Sequence, residues 1–247
     1  MLIKTEELRE FTTEFIDNVK GTIIDMYFDD LLWNVQYLLI ETIGQQKDEL
    51  VLISRVALGK PDLESKILPL FVSFNTKTDK QKGAGTDASR KENEKEHTRL
   101  LFRWSLDQFD LDSLEADEMK NIIIKKLEEE KLLVQNDGNH LRSHNNILGY
   151  NVFAKKEEKI GHLEDFIIDK ATWKVRFLVV DTKYWLVRKR DVLISPLWIE
   201  KIKWRESAIC IDINKNVIGS SPAYNSKEPL DEQLEMKLFK HYRHRPE

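Results

Sequence analysis

Three residues within four positions, His162, Glu164 and Asp165, form the densest set of acid and base side chains on a predicted strand. Histidine titrates near neutrality and a nearby carboxyl can hold or pass a proton, so the set has the composition of a general acid/base or proton-carrying site. Strand alternation puts His162 and Glu164 on one face and Asp165 on the other. Asp25 repeats Asp165 earlier in the chain, where Thr22 and Ile24 stand in place of His162 and Glu164. The plainer reading is a solvated strand face, with Asp165 bonding backbone in a turn.

Other chemistry is sparser. His140 with His144 and His241 with His244 have spacings that bring imidazoles together only on helices. The first pair follows the helix-stopping Asp137-Gly138 and the second lies in a tail, so both read as surface histidines. Cys210 has no histidine near it in sequence and alternates away from Ile209, Ile211 and Ile213, which makes it a plain strand cysteine before a nucleophile. Arg188-Lys189-Arg190 reads as a solvated loop or as contact for an anionic partner, and Gly83-Ala84-Gly85 as a linker. No catalytic residue, metal or cofactor is expected.

The elements that carry these residues follow from composition and repetition. The chain has 247 residues, 39 Lys and Arg against 43 Asp and Glu, a formal charge of −4 and 41% hydrophobic residues, enough for one or two ordinary domains. The acidic balance argues against a general nucleic-acid binder. One cysteine excludes an internal disulfide and fits a reducing compartment, so a cytoplasmic location is expected. No apolar run has the length of a transmembrane helix, and Met1–Glu10 lacks a signal-peptide core.

Gly21–Thr42 aligns with Gly161–Thr182 without a gap, at an offset of 140 (161 less 21). Seven positions are identical: Gly21/Gly161, Asp25/Asp165, Asp29/Asp169, Trp33/Trp173, Val35/Val175, Leu38/Leu178 and Thr42/Thr182. Val51–Ser54 then recurs as Val192–Ser195. Between the copies, 76–99 lacks large apolar side chains and is expected to be disordered. Asp112 with Glu115 forms a capping box, and Leu114, Met119, Ile123, Leu127 and Val134 predict a helix over about 114–134. A shorter helix is predicted over Leu230–Tyr242, where Leu234, Leu238 and Tyr242 recur. The rest reads as short strands, including Ile160–Asp169, Lys174–Asp181, Val192–Ser195 and Ala208–Ile213, and closure into small barrels is the economical way to cover their edges.

On these residues a family is recognisable. Leu141-Arg142-Ser143, Gly149-Tyr150, the Ile160–Phe166 strand, Trp173, Val179-Val180-Asp181-Thr182, Trp185-Leu186 and Leu193-Ile194-Ser195-Pro196 resemble the PRC-barrel family, named for the cytoplasmic barrel of the photosynthetic reaction centre H subunit. Ser220-Ser221-Pro222-Ala223-Tyr224 resembles its bacterial tandem form. The first copy departs from the pattern, with Arg55 against Pro196, Leu63 against Trp204 and Gln45-Gln46 against Trp185-Leu186. The resemblance implies a mainly β chain of two small barrels in tandem, a divergent one over 1–74 and a second over 140–225; composition and periodicity add an insert over 75–139, which is unusual for the tandem form, and a C-terminal helix and tail over 226–247.

The family's barrels are similar to adaptors, so the resemblance implies a non-enzymatic scaffold that binds a protein partner or itself, with a peripheral membrane complex among the options and nucleic acid disfavoured. Two alternatives stay open: an acid/base enzyme using His162 and Glu164, and an RNA- or ribosome-associated assembly factor. Gly21, Asp25, Trp33, Gly161, Asp165 and Trp173 read as structural. Trp185, Leu186 and Trp198 are the candidate partner interface, against a core or barrel-capping reading of the same rings.

Overall fold

The recurring Gly, Asp and Trp mark one hairpin built twice. In the computed structural model, which describes residues 2–44, 49–75, 101–105, 140–183, 191–222, 224 and 232–243, β3 (Lys20–Asp29) pairs with β4 (Asn34–Ile43), and β10 (Glu158–Asp169) with β11 (Val175–Asp181). The aspartate ending each first strand folds the turn. Asp29 Oδ1 accepts the N–H groups of Leu31 (2.8 Å) and Leu32 (2.7 Å), and Asp169 Oδ1 those of Ala171 (2.8 Å) and Thr172 (3.0 Å). Trp33 and Trp173 then adopt positive φ, 53° and 57°, and return their N–H to the carbonyls of Asp29 and Asp169. Left-handed backbone costs a bulky residue about 1–2 kcal/mol. Burial of both indoles offsets it, and Trp33 stacks on Phe28 with centroids 5.4 Å apart.

The chain divides into two compact units. The first is Leu8–Asn146, and the second is Met1–Glu7 with Ile147–Glu247. The first unit holds a seven-stranded sheet in the order β6-β2-β3-β4-β5-β7, where β2 is Thr12–Phe15, β5 Glu49–Ser54, β6 Ile67–Leu70 and β7 Leu101–Ser105. The second holds β12-β11-β10-β9-β14-β13, where β9 is Asn151–Ala154, β12 Asp191–Ile194, β13 Ile199–Lys203 and β14 Ala208–Ile211. The repeat therefore extends beyond the sequence match: β2 pairs with β6 in parallel, as β9 does with β14. The expected rings are not closed by hydrogen bonds among the described residues. The end strands β12 and β13 are joined covalently by the turn Pro196–Trp198, because Pro196 has no N–H and Ser195 receives the N–H groups of Leu197 and Trp198. The first copy makes only single bridges, Leu58 to Leu70 and Asp62 to Ile67, where β13 would lie, and Gly59-Lys60-Pro61 interrupts any strand there.

Each sheet is completed by a leading strand that sequence assigns to the other repeat. β1 (Leu2–Lys4) precedes the first repeat but pairs with β10, setting Leu2, Ile3 and Lys4 opposite Asp169, Ile168 and Ile167. β8 (Leu141–Ser143) precedes the second repeat but pairs with β3, setting Leu141, Arg142 and Ser143 opposite Asp29, Phe28 and Tyr27. The registers are the same once the repeats are superposed by sequence. Short helices follow both strands, α1 (Thr5–Arg9) and α2 (His144–Ile147); α3 is Lys215–Gly219.

The one helix longer than seven residues among the described ones, α4 (Glu232–Arg243), packs on the second unit. Its Leu238 and Tyr242 are buried as the i, i+4 spacing predicts, and Phe239 meets Phe177 at 6.0 Å. The Arg176 guanidinium binds Glu235, and His241 Nε2 lies 2.7 Å from the carbonyl of Val217. Cys210, expected on the face opposite the isoleucines, is buried too, because both faces of β14 are covered. The segments 76–99 and 114–134 lie outside the described residues.

Candidate functional site

The buried aspartates come first, since an ionised carboxyl out of water needs partners. A β-bulge between Ile23 and Asp25, repeated between Leu163 and Asp165, breaks the strand alternation at each aspartate, and both are buried. Asp25 accepts the Ser143 hydroxyl (2.6 Å) and the N–H groups of Met26 (2.7 Å) and Asn145 (3.2 Å). Burial pushes its carboxyl up, against the pull of Ser143, His144 and these N–H groups. Asp165 accepts the Thr5 hydroxyl and the N–H groups of Glu6 (3.2 Å) and Phe166 (2.8 Å). Each aspartate thus latches the leading segment that follows β8 or β1. Asp165 was expected to bond backbone in a turn; the turn is held by Asp169 instead, and Asp165 clasps a segment about 160 residues away.

His140 and His144 take different partners. His140 Nδ1 lies 2.7 Å from Asp30 Oδ1, while Arg142 Nε donates to Asp30 Oδ2 at 2.9 Å. His144, expected at the surface, is buried with Nδ1 3.2 Å from Arg9, whose guanidinium also binds Asn145. Among the described residues no group of His, Cys, Asp and Glu is placed to hold a metal ion. His244 lies outside them.

His162 does gain neighbours that linear sequence separates from it. The register sets His162 opposite Asp181 and Asp181 opposite Asp191, so three titratable side chains form a row across β10, β11 and β12. Lys183 Nζ lies 2.6 Å from Asp181 Oδ2. Burial, then the carboxylates of Asp191 and Asp181, push the Glu164 carboxyl up, and Lys4 and Lys183 pull it back. Lys4 sits over the Tyr224 ring, 5.6 Å from its centroid. In the first unit the same row reads Thr22, Glu41 and Leu50.

Of the candidate interface residues, Trp185 and Leu186 lie outside the described residues. Trp198 is 7% exposed, with Tyr242 at 4.3 Å and Phe239 at 5.6 Å, so α4 of the same chain occupies its faces. Trp204 packs edge-on against Tyr150 at 6.0 Å.

Exposed apolar side chains lie elsewhere. Of ten large ones among the described residues, eight belong to the first unit: Ile16, Ile24, Leu31, Leu32, Ile43, Val56, Leu63 and Phe71. The second unit has Leu197 and Met236. Repeat alignment sharpens the contrast, because Leu31-Leu32 at the first hairpin tip are Ala171-Thr172 at the second, and the bulged Ile24 is Glu164. The tip is held on both sides, by Asp29 through its turn and by Asp30 through His140 and Arg142. Sequence reading missed it, although the repeat alignment contained the signal.

No curated protein matches the chain. No helix among the described residues is long and apolar enough to cross a membrane. The model of the PRC-barrel domain matches residues 140–218, which run from β8 and most of α2 in the first unit through β9 to β14 and most of α3 in the second. Over residues 140–218, then, the chain is similar to the PRC-barrel domain.

Proposed function

We propose that the protein is a non-enzymatic adaptor whose first repeat docks a protein partner through the β3–β4 tip. The observation that carries this reading is the substitution of Ala171-Thr172 by Leu31-Leu32 on the same turn, 66% and 61% exposed. A turn fixed by Asp29 and Asp30 presents the two leucines at little entropic cost, which favours anchoring in an apolar groove. The PRC-barrel match over 140–218 supports a scaffold-type role for the chain.

A photo-crosslinking residue at position 31, expressed in the source cells, is expected to yield a discrete protein adduct that the same residue at position 171 does not. The variant Leu31→Ala/Leu32→Thr, which carries the second repeat's residues, should lose that partner while remaining folded. Equal adducts at the two tips, or full binding by the double variant, would remove the basis of the proposal.

One observation favours a second reading, an acid/base role for Glu164 beside the His162, Asp181 and Asp191 row, because its carboxyl is raised. Glu164→Gln would abolish a turnover or cellular phenotype on that reading and leave the adaptor unaffected.

A further inference from the structure

Ile16 and Phe71 each follow the last paired residue of two strands of the first unit, since β2 and β6 run parallel and end with Phe15 opposite Leu70. They are 63% and 60% exposed. The Phe71 ring is braced on the backbone, since a Cβ added to Gly59 would lie 3.2 Å from its Cζ.

The second unit supplies an internal control. Lys155 donates its N–H to the carbonyl of Ile213 (3.0 Å) as Ile16 does to that of Val72 (3.1 Å). Asp212 donates to Trp198 (2.9 Å) as Phe71 does to Ala57 (2.7 Å). At these equivalent positions Lys155 and Asp212 form an ion pair at 2.9 Å, each side chain 43% exposed. One backbone frame thus carries a solvated ion pair in one repeat and an apolar pair facing water in the other.

We propose that the Ile16/Phe71 patch is a self-association surface, occupied by the same patch of a second copy of this chain. In a two-fold contact Phe71 of each copy lies on Ile16 of the other, and any charge at the rim meets the rim of an identical surface. The rim suits that arrangement because it carries both signs: exposed Lys60 adjoins Gly59, and exposed Lys20 stands opposite Glu14 across β2 and β3. A strongly one-signed partner such as a nucleic acid or an anionic membrane is not matched by a mixed rim. The contact uses residues other than the β3–β4 tip and does not depend on the partner proposed there.

Two side chains per copy make a small interface, below roughly 1,200 Å², so the dimer is transient. Sedimentation of the full chain from about 10 to 500 μM should show a mass rising from monomer toward dimer, little changed by salt because the contact is apolar. The variant Ile16→Lys/Phe71→Asp carries the pair that the equivalent frame already accommodates, and it should stay monomeric over that range. The converse variant, Lys155→Ile/Asp212→Phe, should associate beyond dimer, because it presents two such patches. Leu31→Ala/Leu32→Thr should dimerise as the unaltered chain does, which separates this proposal from the tip. If Ile16→Lys/Phe71→Asp unfolds by circular dichroism, the single Phe71→Ser is read instead and should weaken association at least tenfold. A chain that is monomeric throughout, or a folded patch variant that associates like the parent, overturns the proposal.

Discussion

Replacing Gly161 by alanine tests why a glycine stands at that position in both hairpins. A Cβ there would lie 2.0 Å from the Asp181 carbonyl oxygen, 2.9 Å from its carbon and 3.2 Å from a Val180 methyl. A normal contact needs more than 3 Å, so β10 and β11 would have to part by over about 1 Å. β10 cannot move the other way freely, because Gly161 is also paired with Val152 on β9. At Gly21 the nearest atom is the Ile40 Cγ2 methyl at 2.5 Å, followed by the Glu41 carbonyl oxygen at 2.7 Å, so the overlap with backbone is shallower than at Gly161. Overpacking costs about 1–3 kcal/mol, and losing one or two ladder bonds adds about 1 kcal/mol each. The lower chain entropy of alanine returns about 0.5–1 kcal/mol. Gly161→Ala should therefore destabilise the second unit by about 3–4 kcal/mol, and Gly21→Ala the first by about 1–2 kcal/mol. Urea titration followed by hydrogen exchange at β10 and β3 amides reads the two units separately. A loss under about 0.5 kcal/mol at Gly161, or a larger loss at Gly21, would refute the close-approach argument.

Removing the second latch, Asp165→Ala, leaves the Thr5 hydroxyl and the Glu6 N–H without their acceptor and should cost about 2–3 kcal/mol, with faster exchange at Ile3 and Lys4. Unchanged protection of β1 would show that Asp165 does not hold it. The carboxyls of Asp25 and Asp17 should bend the acid stability of the first unit in opposite directions. Burial raises Asp25, so the folded state binds its proton more tightly; that contribution is present below the ordinary carboxyl range and is lost as pH rises through the folded value. Burial would also raise Asp17, but the N–H groups of Asn75 and Phe74 and the Ser73 hydroxyl outweigh it, so its contribution is present above the ordinary range and is lost as pH falls through the folded value. Asp25→Asn and Asp17→Asn should accordingly alter the pH dependence of urea midpoints with opposite sign, and changes of the same sign would contradict the assignments. Trp198→Ala should cost about 3–5 kcal/mol and speed proteolysis of α4, whereas an unaltered α4 would mean that Trp198 is not its seat.

What could be read from the chain was whatever is enforced locally. Asp29 and Asp169 each cap a turn two and three residues on, Trp33 and Trp173 each close it, and Gly21 and Gly161 each admit a neighbouring strand, so type and spacing survived together in both copies. The helix near the C-terminus was legible from Leu234, Leu238 and Tyr242, but not what it covers, since periodicity reports a face and not its partner. The partners of β1 and β8 were illegible because three residues have no usable period and share only Leu2 with Leu141. Their latches were misread for the same reason: the partners of Asp165 lie near residue 5, beyond any local rule. The row of His162, Asp181 and Asp191 needed strand register, which depends on the β10 bulge as well as on sequence spacing.

The crossed leading strands impose an order in time. Leu2–Lys4 leave the ribosome before either sheet exists, and their partners Ile167–Asp169 follow more than 160 residues later. At roughly 5–20 residues per second the wait is on the order of ten to thirty seconds. The first unit ends at Asn146 and has its leading strand by then, so it can finish while the second is still being made. Until Asp165 is synthesised, residues 2–6 are an unclaimed segment on a nascent chain. A stall between the two repeats would leave that segment to chaperones, to a neighbouring ribosome's product, or to a protease.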